Sequence, residues 1–592
     1  MDNNSKNFKA LERMYHKVRE ITTLKDLLDS SVQLYSERPA FLIKKSKGGE
    51  YFPITYKQVG HDVNALGTKL LNMGLKDSKI AIIGENCYEW IISYYAVVNG
   101  TGVVVPLDKE LSQEEIYYLI ETAGCKAVFY TKNFEKYFED YDIEYKIKMK
   151  TYGDRTDISQ PLEVSDLTEI KKGVPVEWEE LVASGEKLVA QNDRSFIDAE
   201  IDPYEMKILL FTSGTTEAAK GVMLSHNNIA VNVMDTCRIA YVTPEDRTLS
   251  ILPIHHTFES TMGMSLVLYR GASIAFFEGL KYINKNLVEA KATILIGVPL
   301  IFESIYEKIW KQAEKSGKAG ALRKAIKLNK TLKSIGIDIS RKLFKSVHEK
   351  FGGKLRMVVT GAAAIDPNVL RGFEDLGIKM LQGYGLTECS PLVAGTPDFS
   401  NGYKKAGSVG PVVFTGEIKI VDKNEDGIGE IVFKGPNVML GYYNMPEKTN
   451  EILRDEWFHT GDLGFLDEEG WLYITGRKKN VIVTKTGKNI YPEEVEYYIN
   501  RNKYIQECLV HATFYDDNDD TCVSAQVRPN YDLIYEEFGE NFGDEEVHSL
   551  IKRVISEINE KLPIYKRIRD IAVRKDEFIK TTTKKIQRHK NI

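Results

Sequence analysis

The run Phe211-Thr212-Ser213-Gly214-Thr215-Thr216-Glu217-Ala218-Ala219-Lys220-Gly221 constrains this chain more than any other. It sets two glycines, four hydroxyl side chains and one lysine between apolar segments at 206–210 and 222–224. Both flanks read as buried strands, so the loop is held at the end of a sheet. There it offers backbone N–H groups, hydroxyls and one cation to a polyphosphate. The spacing is not that of a Walker loop, and no helix opens directly behind Lys220. Taken alone, such a loop is equally an ordinary turn. Its weight comes from what accompanies it.

At 592 residues the chain is too long for one core, so two or more domains are expected. A hydrophobic content of 43% and a charged content of 28% fit an ordinary soluble globular protein. The net charge of −6 excludes nothing by itself, and no nucleic-acid partner is expected. Cys87, Cys125, Cys237, Cys389, Cys508 and Cys522 lie far apart, with no CxxC pair. They read as buried thiols in a reducing compartment. The first twenty residues have no apolar core and so are no secretory signal. The most apolar stretch, 90–107, is interrupted by Asn99, Gly100 and Gly102. It reads as a buried helix followed by a buried strand, not a membrane span. A cytoplasmic protein is expected.

Phe8, Leu11, Tyr15 and Val18 recur at helical spacing and predict an amphipathic helix packed on the body. From 54 to 130, apolar strands alternate with helical segments, which implies a parallel α/β layer. A second α/β set runs from 206 to 382. Short glycine-rich strands between 410 and 474 predict an antiparallel or barrel-like unit. A small α+β unit follows from 481, with helices near 492–500 and 544–561. Residues 308–354 carry fourteen Lys/Arg against three acids, interleaved with Leu322, Ile326, Leu328, Leu332, Ile335, Leu343, Phe344 and Val347. They read as basic amphipathic helices. Such helices present either a solvated face or a surface for anionic membrane or phosphate-bearing ligands.

Further along, residues 356–360 read as a strand that ends at Gly361-Ala362-Ala363-Ala364. Asp366-Pro367 then predicts a helix start, with Asp366 as N-cap. Small residues at that turn let a flat ring lie close to the backbone. Next, Gln382-Gly383-Tyr384-Gly385-Leu386-Thr387-Glu388 brings an aromatic, a hydroxyl and a carboxylate into one loop. Tyr384 can stack on a base, Thr387 can meet a phosphate, and Glu388 can hold Mg²⁺ that also touches phosphate oxygens. In His459-Thr460-Gly461-Asp462 a carboxylate follows a turn and matches a ribose diol. Thr475-Gly476-Arg477-Lys478-Lys479-Asn480 precedes the small C-terminal unit, and Thr581-Thr582-Thr583-Lys584-Lys585-Ile586-Gln587-Arg588 ends it.

In this order the motifs resemble the acyl-adenylate-forming superfamily: acyl-CoA synthetases, adenylation domains and luciferases. The resemblance covers essentially the whole chain. The basic block, the tail and Leu252-Pro253-Ile254-His255-His256-Thr257-Phe258-Glu259 resemble the long-chain fatty acyl-CoA synthetases in particular. The resemblance implies an α/β fold: a large N-terminal domain of two α/β subdomains and a distorted β-barrel, residues 1–478, and a small mobile α+β domain, residues 479–592. It implies ATP-dependent conversion of a fatty acid to acyl-AMP, then transfer to the thiol of CoA. Two alternatives stay open: transfer to a carrier protein, or a weakly active membrane-associated nucleotide-binding homologue.

By the same resemblance, Thr215 and Glu388 contact Mg²⁺, and Thr212, Ser213, Gly214, Thr216 and Lys220 line the phosphate loop. Thr387 holds the α-phosphate. Tyr384, Gly361, Ala362 and Ala363 hold adenine, and Asp462 and Arg477 hold the ribose. Lys585 matches the catalytic lysine of the adenylating step, and His256 a histidine where acyl pocket and nucleotide site meet. Lys479 falls at the hinge, whose rotation brings Thr486-Gly487-Lys488 toward CoA. Family members carry glycine where this chain has Glu217 and Lys584, and proline where it has Ala219.

Overall fold

The computed structural model describes residues 14–150, 170–212, 219–400, 402–484, 488–515, 520–539, 542–581 and 585–592. Two eight-stranded sheets dominate it. The first runs in the order Pro175–Glu177, Tyr145–Met149, Cys125–Thr131, Ser78–Ile83, Gly102–Pro106, Met206–Thr212, Lys220–Ser225 and Gly441–Tyr442. It is parallel as far as Met206–Thr212 and antiparallel beyond. The second runs Tyr51–Thr55, Pro39–Lys44, Ser273–Phe276, Arg247–Ser250, Ile294–Gly297, Met357–Thr360, Lys379–Gly385 and Leu392–Gly395. It is parallel except for its two outermost pairs. Helices cover both faces of a parallel sheet, so its strands lose alternation. Ile80, Ala81, Ile82 and Ile83 are accordingly all buried.

The division of strands between the sheets differs from the contiguous layers expected. Pro39–Lys44 joins the second sheet, where Phe41 pairs with Ile274. Met206–Thr212 joins the first, where Val104 pairs with Ile208. Apolar runs announce a strand but not its neighbour, so chain order was a poor guide. The exchange has a consequence for the site. Thr212, at the carboxyl end of Met206–Thr212, and Thr360, at that of Met357–Thr360, both line the cleft between the sheets.

Five strands build the predicted antiparallel unit: Glu417–Val421, Gly429–Lys434, Leu453–Arg454, Trp457–Leu466 and Leu472–Arg477. Past a 3₁₀ turn at Lys478–Asn480, a three-stranded sheet of Ile505–Tyr515, Asp520–Pro529 and Ile568–Val573 carries the helices Pro492–Ile499 and Asp544–Lys561. Ile482, Val495, Val527 and Ile551 pack there in a core of their own.

Half of the expected N-terminal helix, with Phe8 and Leu11, lies outside the described residues. Its other half is not helical: Tyr15 and Val18 lie in irregular chain. Tyr15 meets Phe399 and Phe414 edge-on, and His16 bonds Asp398 at 2.8 Å. The stretch 90–107 is a buried helix, Tyr88–Ala96, a π turn, and the strand Gly102–Pro106, as expected. The six cysteines are free thiols. Among the described residues no helix is long and apolar enough to cross a membrane.

The basic block forms the helices Ala319–Ser334, Ser340–Leu343 and Lys345–Glu349, following Pro299–Lys315. Part of its charge is used internally. Lys330 pairs with Asp375 at 3.0 Å, and Arg341 donates to the Gly353 and Leu355 carbonyls. Leu328, Ile335 and Ile337 stand exposed among the remaining lysines.

Candidate active site

A cleft of about 3380 Å³ lies between the two large sheets, the antiparallel unit and the C-terminal unit. Thr212, Lys220, His256, Gly361, Ala362, Ala363, Tyr384, Thr387, Glu388, Asp462, Arg477 and Lys585 all line it. The structure thus gathers residues spread over nearly four hundred positions. Ser213, Gly214, Thr215, Thr216 and Gly487 lie outside the described residues, as does Glu217.

Local chemistry fixes each position. Thr212 and Lys220 face each other in antiparallel register across the mouth of the phosphate loop. Gly361 follows the strand Met357–Thr360, and Ala362 takes φ +69°, which turns the chain sharply toward the next helix. Asp366 then caps that helix by accepting from the Asn368 amide at 2.8 Å, with Pro367 in its first turn. Gly385 ends its strand where a Cβ would lie 2.1 Å from the Pro391 carbonyl oxygen, so only glycine fits. Thr387 and Glu388 open the 3₁₀ turn behind it.

Asp462 is the centre of the polar side. Its carboxylate accepts from Tyr384 Oη at 2.6 Å and from Arg477 Nε at 2.8 Å. Asp462 and Arg477 are register partners on neighbouring strands, which explains the contact. The Asp462 charge raises the Arg477 pKa further. Burial and then Asp462 push the Tyr384 hydroxyl well above its usual range, so it stays a neutral donor. Glu388 accepts from Tyr442 Oη at 2.8 Å, and Lys220 Nζ stands 5.2 Å from the Tyr442 ring centroid. Tyr442 therefore links the carboxylate to the lysine. Sequence reasoning missed it, because Tyr442 sits in a two-residue strand fifty-four positions from Glu388.

Lys585 reaches the same cleft from the tail. Its backbone is pinned by a bridge between Lys580 and Ile586 and by mutual bonds with Thr581. Enclosure in the cleft, then the charge of Arg477, lowers its pKa, while Asp462 and Glu493 act to raise it. Partial burial, then Arg477 and Lys220, lower Lys479 as well. Glu493 was not foreseen. It accepts from Asn480 at 2.7 Å and so ties the 3₁₀ turn to the helix Pro492–Ile499. The acidic pair behind Tyr491-Pro492 was its only signal.

Part of the cleft lining, its apolar branch, is formed by Met357, Ile294, Val242 and Ile239, together with Thr360. Met357 and Thr360 are the two ends of one four-residue strand, about 10 Å apart. His256 lines the same cleft. Burial, then neighbouring His255, depress it to about 3, so its imidazole is neutral.

Polar cleft, apolar branch and doubly wound sheets define an enzyme that joins a nucleotide to an apolar acid. The AMP-binding enzyme family matches residues 28–443, and the chain belongs to that family. It is 34% identical to the long-chain-fatty-acid–CoA ligase 5 of Rattus norvegicus over 78% of this chain and 69% of that protein. It is 31% identical to the long-chain-fatty-acid–CoA ligase 1 of Homo sapiens over 83% of this chain and 72% of that protein. Among solved structures, the anthranilate CoA ligase AuaEII in complex with anthranoyl-AMP superposes with a TM-score of 0.73 at 19% identity, covering 98% of this chain and 97% of that one. The ATP-bound RpMatB-BxBclM chimera B1 gives 0.71 at 24% identity, with 96% and 97% covered.

Proposed function

We propose that the protein is an ATP-dependent long-chain fatty acid:CoA ligase. In the first step a fatty acid carboxylate oxygen attacks the α-phosphorus of ATP. The bond to pyrophosphate breaks, leaving acyl-AMP. In the second, the CoA thiol attacks the acyl carbonyl, loses its proton and releases AMP. The carrying observation is that one cleft is lined both by Lys220, Arg477, Lys479 and Lys585 and by the apolar side chains of Ile239, Val242, Ile294 and Met357. Both curated relatives carry the matching activity in their names.

Lys220 and Lys585 offset the repulsion between carboxylate and phosphates. Such charge, placed before the reaction begins, costs no reorganisation during it. Thr212, Ser213, Gly214 and Thr216 cradle the β- and γ-phosphates, and Thr387 holds the α-phosphate. A carboxylate has about four acceptor positions. Asp462 can therefore keep Tyr384 and Arg477 while accepting ribose hydroxyls. Tyr384, with its hydroxyl held, presents a fixed ring to adenine over Gly361, Ala362 and Ala363. Glu388 and Thr215 supply the hard oxygen donors that Mg²⁺ takes. When bound, Mg²⁺ adds positive charge against the phosphate oxygens. His256, neutral, borders the reacting carboxylate without adding charge.

Residues 479–592 are proposed to move as a unit about Lys479, exchanging the Lys585 face for the face bearing Gly487 and Lys488. Exposed Leu328, Ile335 and Ile337 among Lys324, Lys327 and Lys342 support peripheral contact with an anionic membrane. Sedimentation with anionic vesicles should fall with added salt and on reversing these lysines. Salt-independent or absent binding would leave a solvated face.

The test of function is acyl-CoA measured by mass spectrometry across short to long acids with ATP, Mg²⁺ and CoA. Long acids should be consumed in preference. Activity confined to short or aromatic acids rejects the substrate class. Acyl-AMP without thioester rejects CoA as acceptor.

A further inference from the structure

Asp108 follows the strand Gly102–Pro106 of the first sheet, next to the strand that ends at Thr212. His255 and His256 follow Arg247–Ser250 of the second. Asn86 ties the two sheets here, donating to Ser250 Oγ at 2.8 Å and to the Leu252 carbonyl at 2.7 Å. It also accepts from the Ile254 amide at 3.3 Å. The three side chains are thus held on a rigid base.

The contact between Asp108 and His255 is incomplete as a hydrogen bond. Asp108 Oδ1 accepts from the Glu110 amide at 2.9 Å. Its Oδ2 faces His255 Nε2 at 3.5 Å, too long for a charge-assisted bond. His255 is 8% exposed, yet its buried Nε2 has no hydrogen-bond partner among the described residues. The His255 and His256 rings lie 4.3 Å apart, centroid to centroid, tilted by 37°. Ligand atoms of all three residues fall within 4.8 Å of one another. Bonds of about 2.1 Å to zinc place neighbouring ligand atoms about 3.4 Å apart in a tetrahedron. The Asp108–His255 separation fits that edge better than it fits a hydrogen bond.

We propose that Asp108, His255 and His256 form a binding site for a zinc-class divalent cation at the junction of the polar cleft and the apolar branch. Two imidazoles and one carboxylate make a three-ligand set with an open fourth position. His255 and His256 both line the cleft, so that position faces it. On the reading of the protein as a fatty acid ligase, the cation captures the incoming carboxylate there and holds it away from ATP. Zinc then inhibits acyl-AMP formation, and a chelator restores it.

The site is tested first without substrates. Tag-free protein is titrated with Co²⁺, followed by the visible bands of tetrahedral cobalt, and with Zn²⁺ by calorimetry. One tight site per chain is expected. His255→Gln should abolish the cobalt bands, and Asp108→Asn should weaken zinc binding. His61→Ala, which breaks the separate trio of exposed His61 and Glu186 with buried Asp62, should change neither. A thermal shift with Mg²⁺ and ATP confirms that each variant is folded; should His255→Gln fail that check, Asp108→Asn decides. No tight site in the wild type, or zinc binding unchanged in both variants, overturns the proposal. Zinc binding without inhibition keeps the site and rejects its action on the acid. A protein that binds zinc but activates no fatty acid condemns the ligase reading alone.

Discussion

Replacing Lys585 by alanine separates the two half-reactions. Lys585 reaches the cleft from the tail, where enclosure and Arg477 lower its pKa. A cation about 5 Å from a phosphate charge contributes about 3 kcal/mol at an effective dielectric near 20, and about 1 kcal/mol in water-like surroundings. The corresponding rate losses are ~200-fold and ~5-fold. Lys585 lines the cleft but is exposed to solvent, so the expected loss lies between these figures. Pyrophosphate release should fall by that factor, while thioester formation from preformed acyl-AMP keeps most of its rate. Lys585→Arg should restore much of the first step. It should also extend activity to higher pH, because the lowered lysine pKa removes the wild-type cation earlier on the alkaline side than an arginine is lost. Equal losses in both half-reactions, or none in the first, refute an electrostatic role for Lys585.

Lys479→Pro should leave pyrophosphate release largely intact and slow thioester formation, since proline fixes φ in the Lys478–Asn480 turn; equal rates in the second half-reaction speak against motion there. Asp462→Asn keeps the shape but removes the charge that binds Arg477 and Tyr384, so calorimetry should show ATP affinity reduced by roughly 10-fold or more. Glu217→Gly should lower the Michaelis constant for ATP by removing an anion from the phosphate loop, with Glu217→Gln separating charge from backbone; unchanged constants in both variants dismiss the carboxylate.

Contiguous motifs were legible in the sequence because their chemistry is local. Asp366-Pro367 writes its own N-cap, and Gly385 marks a close approach that no other residue tolerates. The strands near 80, 104 and 128 were legible from apolar runs and share the parallel layer expected of them, but the strand near 208, read with the second set, joins the first sheet. Period-two patterning records burial and says nothing of which edge a strand meets. The partners that orient the site were hidden for the same reason. Tyr442 holds Glu388 from across a sheet edge, Glu493 bonds Asn480 from the next helix, and Asp108 faces His255 across two sheets. Each pair is joined only by tertiary packing, and neither member alone signals the other. Tyr15 shows a different limit: its apolar character was legible, but not that it packs edge-on against Phe399 and Phe414 from irregular chain.

Four of the cations that line the cleft come from three separate pieces of chain. Lys220 stands at a strand edge, Arg477 and Lys479 at the connection, and Lys585 in the tail. Arg477 lowers the pKa of both Lys479 and Lys585, and Lys220 adds to the effect on Lys479. These like charges repel, so seating the tail costs free energy that anionic phosphate offsets. By linkage, nucleotide then favours the seated tail as strongly as the seated tail favours nucleotide. Departure of pyrophosphate removes most of the compensating charge and leaves the cations to repel again. The residues beyond Lys478–Asn480 pack in a core of their own, so under the proposed hinge that piece is the one that yields. A lysine fixed in the body could stabilise the same transition state, but it would not release the face needed for the thiol once its work was done.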